Sequence, residues 1–201
     1  MKGHKSKPDF SYERKLGGIV LGIDEAGRGC IAGPVVAAGI ILNDKIDISE
    51  INDSKKLAPK KREKIYYYLI NHCYYITALS SVEEIERLNI LQASLLAMRR
   101  VIEKMQQHFD YILVDGNINP LPTIDNIINI IKGDSKSLTI AAASIIAKVA
   151  RDKIMENLDN KFPQYEWRQN KGYGTSKHYH AIKKYGICPH HRKNFLKKIL
   201  F

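Results

Sequence analysis

The chain has 201 residues, 44% of them apolar, and a formal net charge of +11. That apolar share excludes wholesale disorder and suits one domain-sized core, and three widely spaced cysteines, Cys30, Cys73 and Cys188, exclude a disulfide framework or paired-cysteine zinc site. The longest apolar run, 31–42, is too short to cross a bilayer, while the positive charge suits a polyanion, either nucleic acid or an acidic membrane surface.

In chain order, residues 1–16 are polar and basic and read as a flexible extension, leaving 17–201 as one folded domain. No internal repeat or signal peptide is apparent. Ile19-Val20-Leu21 belongs to a first strand, 18–24, and a second follows at 34–42. So short a connection implies an antiparallel hairpin, because a parallel crossover needs a dozen or more residues. Pro59 opens a helix over 60–71, and 74–81 is a third strand. Ile85, Leu88, Leu91, Leu95, Met98 and Ile102 recur at helical spacing and predict one long helix over 82–108. A strand at 111–114 ends at Asp115, and a fifth at 127–131 leads to Asp134. A helix is expected over 137–160, and beyond Pro163 an irregular stretch precedes a helix at 177–184 and a basic end. The order implies one mixed five-stranded α/β sheet flanked by helices, with a helical C-terminal part. Sites in such sheets lie beyond the strand ends.

Three apolar strands end in acids: Asp24 with Glu25, Asp115, and Asp134. Converging there, four carboxylates would repel one another unless cations bound them. Oxygen ligands without nearby cysteine or histidine select hard ions, Mg²⁺ or Mn²⁺. Two such ions about 4 Å apart would activate water and stabilise a leaving oxygen. Adjacent strand residues point to opposite faces, so the strand is expected to break at Asp24-Glu25, helped by Gly27 and Gly29. A single acid can equally be a cap, and Asp134 before a helix fits that role. Asp152, eighteen residues after Asp134, would lie about 27 Å away along a helix and reads as an ion-pair partner. The run Gly27 to Ala32 fits a loose dinucleotide fingerprint, but a strand follows where that motif requires a helix.

Lys55 and Lys56 beside Ser54 could grip a phosphate or simply be solvated. Lys177, His178, Lys183, Lys184, Arg192, Lys193, Lys197 and Lys198 form a candidate phosphate track. The tyrosines at 66–68 and 74–75 read as packing residues, and Cys30 as a small packing residue.

These pieces together resemble the ribonuclease HII family. They are Gly22-Ile23-Asp24-Glu25-Ala26-Gly27-Arg28-Gly29 with Ala32-Gly33-Pro34-Val35-Val36, Asp53-Ser54-Lys55-Lys56-Leu57, and Val114-Asp115-Gly116. Gly133-Asp134, Ala141 to Asp152, Gly172-Tyr173-Gly174-Thr175 and His191-Arg192 follow in the family's order, so the resemblance spans about 18–195. It implies an RNase H-like fold and an endonuclease that cuts RNA in RNA–DNA hybrids and at single ribonucleotides in DNA duplexes. By position it implies Asp24, Glu25, Asp115 and Asp134 as catalytic, metal-binding carboxylates. Gly27, Arg28 and Gly29 match the segment that senses the ribose 2′-hydroxyl, the feature that distinguishes RNA from DNA. Tyr173 matches the tyrosine at the RNA-to-DNA step, and Lys55 a substrate contact. A cytoplasmic, monomeric enzyme without a membrane partner is expected. Alternatives are a non-catalytic nucleic-acid-binding module and another nuclease on the same fold, such as a junction resolvase.

Overall fold

The computed structural model describes residues 7–43, 46–47 and 49–200, without the side chains of 197–200. Its centre is the hairpin of β1 (Val20–Ala26) and β2 (Val35–Ile41), antiparallel as the short connection requires. β3 (Tyr74–Ser80) extends the sheet antiparallel to β2. On the other side β4 (Tyr111–Asp115) runs parallel to β1, and β5 (Ile127–Ile130) parallel to β4. The strand order is β3-β2-β1-β4-β5.

Eight helices complete the described chain: α1 (Ser11–Leu16), α2 (Pro59–His72), α3 (Val82–Leu88), α4 (Ile90–Lys104), α5 (Leu138–Lys161), α6 (Trp167–Asn170), α7 (Ser176–Tyr185) and α8 (Lys193–Leu200). The strand pleat sorts alternate residues of β1 and β2 to opposite faces. Ala38 and Ile40 pack against Ile65 and Leu69 of α2 and against Ala142 and Ile145 of α5. Leu21, Ile23, Val35 and Ala37 pack against Ala97, Met98 and Val101 of α4. A third cluster, with Ile31, Met155, Trp167, Ile182 and Leu196, fastens the C-terminal helices to the end of α5. The first turns of α5 are buried on every side, as suits a helix enclosed by the core rather than lying on the surface.

Two expectations are corrected. The long helix predicted over 82–108 is two helices, because Asn89 takes φ +69° and its side chain accepts from the Gln92 N–H at 3.1 Å, capping α4. Ser81 and Glu84 form a reciprocal capping box on α3. The apolar spacing carries across this break, so periodicity alone cannot see it. The described part of the expected flexible extension is also ordered. Glu13 of α1 accepts from Ser137 Oγ at 2.6 Å and from the Thr139 N–H at 3.0 Å, and Leu138 N–H donates to the Asp9 carbonyl at 3.0 Å. Residues 1–6 lie outside the described residues.

β1 and α5 approach closely at Gly22, where a Cβ would stand 2.5 Å from the Thr139 carbonyl carbon. Gly22→Ala is therefore expected to cost about 1–3 kcal/mol through overpacking. Thermal denaturation would read this as a drop of about 2–4 °C per kcal/mol, and an unchanged melting temperature would refute the close contact.

Candidate active site

The pairing of Ile23 with Val114 carries Asp24, two residues before the end of β1, alongside Asp115 at the end of β4. Leu113, two residues before Asp115, packs with Ile140 of α5, and Gly22, two before Asp24, faces Thr139. Both acids therefore lie on the α5 side of the sheet. Asp134 follows β5 in a short 3₁₀ turn, Gly133–Ser135. It does not cap α5, whose cap is Ser137, accepting from the Ile140 N–H at 3.2 Å. Asp115 Oδ1 accepts from the Gly133 N–H at 2.7 Å and ties this turn to the end of β4.

The expected strand break at Asp24-Glu25 does not occur: both residues remain in register, opposite Ala38 and Ala37. Glu25 starts from the other face, yet its charge acts on Asp24 and it feels Asp115 and Lys55 in turn. Its length and the turn after Ala26 bring it into the same field without interrupting β1.

Burial, then the charges of Glu25, Asp115 and Asp134, push the Asp24 carboxyl well above the ordinary range. Burial also raises Glu25, against the opposing pull of Arg28. Asp115 is raised by burial, opposed by its bond from Gly133. Two cations offset part of this charge: Arg28 Nη1 lies 3.1 Å from Glu25 Oε1, and Lys55 Nζ 3.1 Å from Asp134 Oδ2. Partial burial works against the Lys55 ammonium, but Asp134 and Asp24 hold it above its usual value.

Among the described residues, no three acidic, histidine or cysteine side chains already form a closed ligand cluster. The four carboxylates share an electrostatic field, and Arg28 and Lys55 pair with Glu25 and Asp134. The group nonetheless fits hard cations. Its donors are all oxygens, its charges are under-compensated, and Glu25 Oε2 is buried without a hydrogen-bond partner.

Lys55 is presented by a 3₁₀ turn, Ser54–Lys56, capped by Asp53, which accepts from the Lys55 N–H at 2.9 Å. Arg62 braces this turn through the carbonyls of Ser54 and Leu57, at 2.7 and 2.8 Å. Lys56 faces Asp53 at 3.9 Å instead of the acids. Asp152 pairs with Lys148 at 2.7 Å, as expected of it.

The glycine turn depends on two arginines to which the sequence reading gives no such role. Arg151 of α5, fully buried, donates to the carbonyls of Ala32, Pro34 and Lys171 at 3.0, 3.0 and 2.8 Å. Arg192 donates to the carbonyls of Gly33 and Arg28 at 2.9 and 3.0 Å. Gly27 has φ +101°, and a Cβ there would strike the Arg151 side chain. Gly29 differs, because nothing lies within 4 Å of where its Cβ would stand. The expected phosphate track is corrected accordingly. His178 and Arg192 are fully buried, and the side chains of Lys197 and Lys198 lie outside the described residues. A run such as Lys148-Val149-Ala150-Arg151 reads the same in sequence whether its arginine is buried or exposed.

Tyr173 lies on the loop between α6 and α7, 44% exposed. The preceding Gly172 binds it to the segment just after the glycine turn, its carbonyl accepting from the N–H groups of Ile31 and Ala32 at 2.9 and 3.2 Å. Lys148 Nζ stands 5.6 Å from the Tyr173 ring centre. Burial, with the Cys30 thiol alongside, raises the phenol. No described helix is long and apolar enough to cross a membrane.

A family model described as ribonuclease HII matches residues 21–201. The ribonuclease HII of Wolbachia pipientis from Culex pipiens is 50% identical over 189 residues, which cover 94% of this chain and 95% of the relative. The crystal structure of ribonuclease H2 from Pyrococcus horikoshii superposes with a TM-score of 0.74 at 28% identity, covering 90% of this chain and 96% of that one. A PCNA:RNase HII complex from Archaeoglobus fulgidus contains a chain that superposes with a TM-score of 0.75 at 26% identity, covering 87% and 93%. By sequence over nearly its whole length and by fold, the chain belongs to the ribonuclease HII family, and so to the divalent-metal-dependent ribonuclease H endonucleases that act on RNA–DNA hybrids.

Proposed function

We propose that Asp24, Glu25, Asp115 and Asp134 form the catalytic centre, and that the protein cuts the RNA strand of hybrids and nicks DNA duplexes 5′ to an embedded ribonucleotide. The observation that carries this reading is the burial of the Asp24 carboxyl in the field of the other three acids. These residues would hold two divalent cations, Mg²⁺ or Mn²⁺, which when bound supply phosphate neutralisation and water activation for hydrolysis to 5′-phosphate and 3′-hydroxyl ends. Lys55 contributes a positive charge at the edge of the acids, within reach of a phosphate oxygen. Gly29 leaves open the space a side chain would fill, so backbone groups of Gly27, Arg28 and Gly29 can approach a ribose 2′-hydroxyl. Tyr173, half exposed and fastened to the same turn, offers a ring to stack on the adjoining sugar and a hydroxyl to donate.

The acids, the glycine turn and Tyr173 are brought together by the fold of one copy, so the proposed site needs no second copy, and action as a monomer is part of the proposal. The free cysteines suit a reducing compartment such as the cytoplasm. Incubation with Mg²⁺ and a DNA duplex carrying one ribonucleotide tests the reading. Nicking on the 5′ side of the ribonucleotide is expected. Binding without nicking would favour a non-catalytic module, and cutting of all-DNA junctions a resolvase.

A further inference from the structure

Behind Tyr173 lies a buried chain of polar side chains that the catalytic reading leaves unused. His178 of α7 is fully buried, and His191 nearly so. His178 Nδ1 lies 2.9 Å from the Tyr173 carbonyl. Trp167 Nε1–H donates to His178 Nε2 at 3.0 Å. His191 Nε2 lies 3.1 Å from the same His178 nitrogen. The Cys188 N–H donates to His191 Nδ1 at 3.0 Å, with the Cys188 thiol 3.3 Å away.

These contacts allow one arrangement of protons. The Tyr173 carbonyl can only accept, so His178 carries its hydrogen on Nδ1. The indole can only donate, so His178 Nε2 is a bare acceptor. The Cys188 N–H can only donate, so His191 Nδ1 accepts and His191 carries its hydrogen on Nε2, sharing with the indole the single lone pair of His178 Nε2. An extra proton on either ring would face a donor. Burial, with His178 alongside, accordingly pushes His191 down to about 4, and burial lowers His178 as well.

The two ends of the chain belong to the two parts of the proposed recognition site. His191 bridges Ala32 through its backbone, and its neighbours bind the same segment, 31–33, which directly follows the Gly27–Gly29 turn: Gly33 N–H donates to the His190 carbonyl and Arg192 N–H to the Ile31 carbonyl, each at 2.8 Å. The other end holds the carbonyl of Tyr173. We infer that His178 and His191 are positioning residues that set Tyr173 in register with the Gly27–Gly29 turn, and so tune cleavage at single ribonucleotides more than cleavage of long hybrids. This rests on the reading of Tyr173 as the residue at the RNA-to-DNA step.

Nitrogen-15 NMR of the histidine rings in the full chain at pH 7 tests the geometry directly. His178 protonated on Nδ1 and His191 on Nε2, both neutral, is the expected result. The opposite tautomer at either ring, or an imidazolium, would overturn the inference whether or not any variant folds. Two substitutions then separate the bonds, because an Asn amide nitrogen can stand where Nδ1 does and a Gln amide where Nε2 does. His178→Gln loses the donor to Tyr173 and is expected to slow nicking at a single ribonucleotide about tenfold more than cutting of a long hybrid, the scale of one lost hydrogen bond. His178→Asn keeps the donor and is expected to restore most of that selectivity. Equal effects of the two variants on the ratio would overturn the positioning role while Tyr173→Ala remains selective. If Tyr173→Ala itself slows both substrates equally, the reading of Tyr173 fails first and the inference with it.

Discussion

Asp24→Asn is expected to abolish strand cleavage while raising the melting temperature of the protein in a chelating buffer. Asn keeps the acceptor that Asp24 Oδ1 offers to the Glu25 N–H at 2.7 Å but removes a charge buried beside three other acids. Activity is expected to fall about 10³-fold or more, because cation binding supplies several kcal/mol to such reactions. Stability is expected to rise by about 0.5–2 kcal/mol, the scale gained when an active site's stored repulsion is removed. That corresponds to about 2–4 °C per kcal/mol by calorimetry. Mg²⁺ should stabilise the wild type, and the variant less. The pH dependence has a definite sign. Asp24, Glu25 and Asp115 hold protons more tightly folded than unfolded. Their contribution is fully present below the ordinary carboxylate range and is lost as pH rises through their raised values. The chelated wild type should therefore lose stability with rising pH more steeply than Asp24→Asn. A variant that melts lower than wild type in chelator would contradict the repulsion described.

The second large effect is expected at Arg151. Its guanidinium meets no carboxylate partner among its hydrogen bonds and instead satisfies the carbonyls of Ala32, Pro34 and Lys171. Arg151→Met would leave those oxygens unpaired in a dry interior, at about 1–3 kcal/mol each. A total loss of about 3 kcal/mol or more is expected, lowering the melting temperature on the order of 10 °C. Arg151→Lys should rescue little, because one ammonium cannot span the three directions the planar fork serves. A lysine variant within about 1 kcal/mol of wild type would show that the turn does not depend on the fork.

Much of this architecture was legible in sequence because it rests on local rules. The short connection after the first strand dictated the hairpin, and the apolar strand patterns placed Asp24 near the end of β1, Asp115 at the end of β4 and Asp134 in the turn beyond β5. Other features depend on neighbours distant in sequence. Asn89 breaks a helix whose apolar spacing continues unchanged, so only its backbone reveals the break. Glu13 orders α1 through Ser137 and Thr139, more than 120 positions later, which composition cannot express. Glu25 joins Asp24's field by side-chain reach and not by a broken strand. His178 and Arg192 look like surface cations in a basic tail. Only the packing of Trp167, Tyr165 and Ile182 around the end of α5 shows that they are interior.

The fastening of the glycine turn has a consequence for biosynthesis. Arg192 reaches back 159 positions to Gly33, and the His190 carbonyl holds the same residue. On a ribosome, where the N-terminal portion emerges first, the sheet and its acids can assemble well before the segment that shapes the turn exists. A polypeptide made only through α5 would thus carry Asp24, Glu25, Asp115 and Asp134 without the contacts that fasten the segment beside the glycine turn, and those contacts would form only once the late-translated segment had emerged.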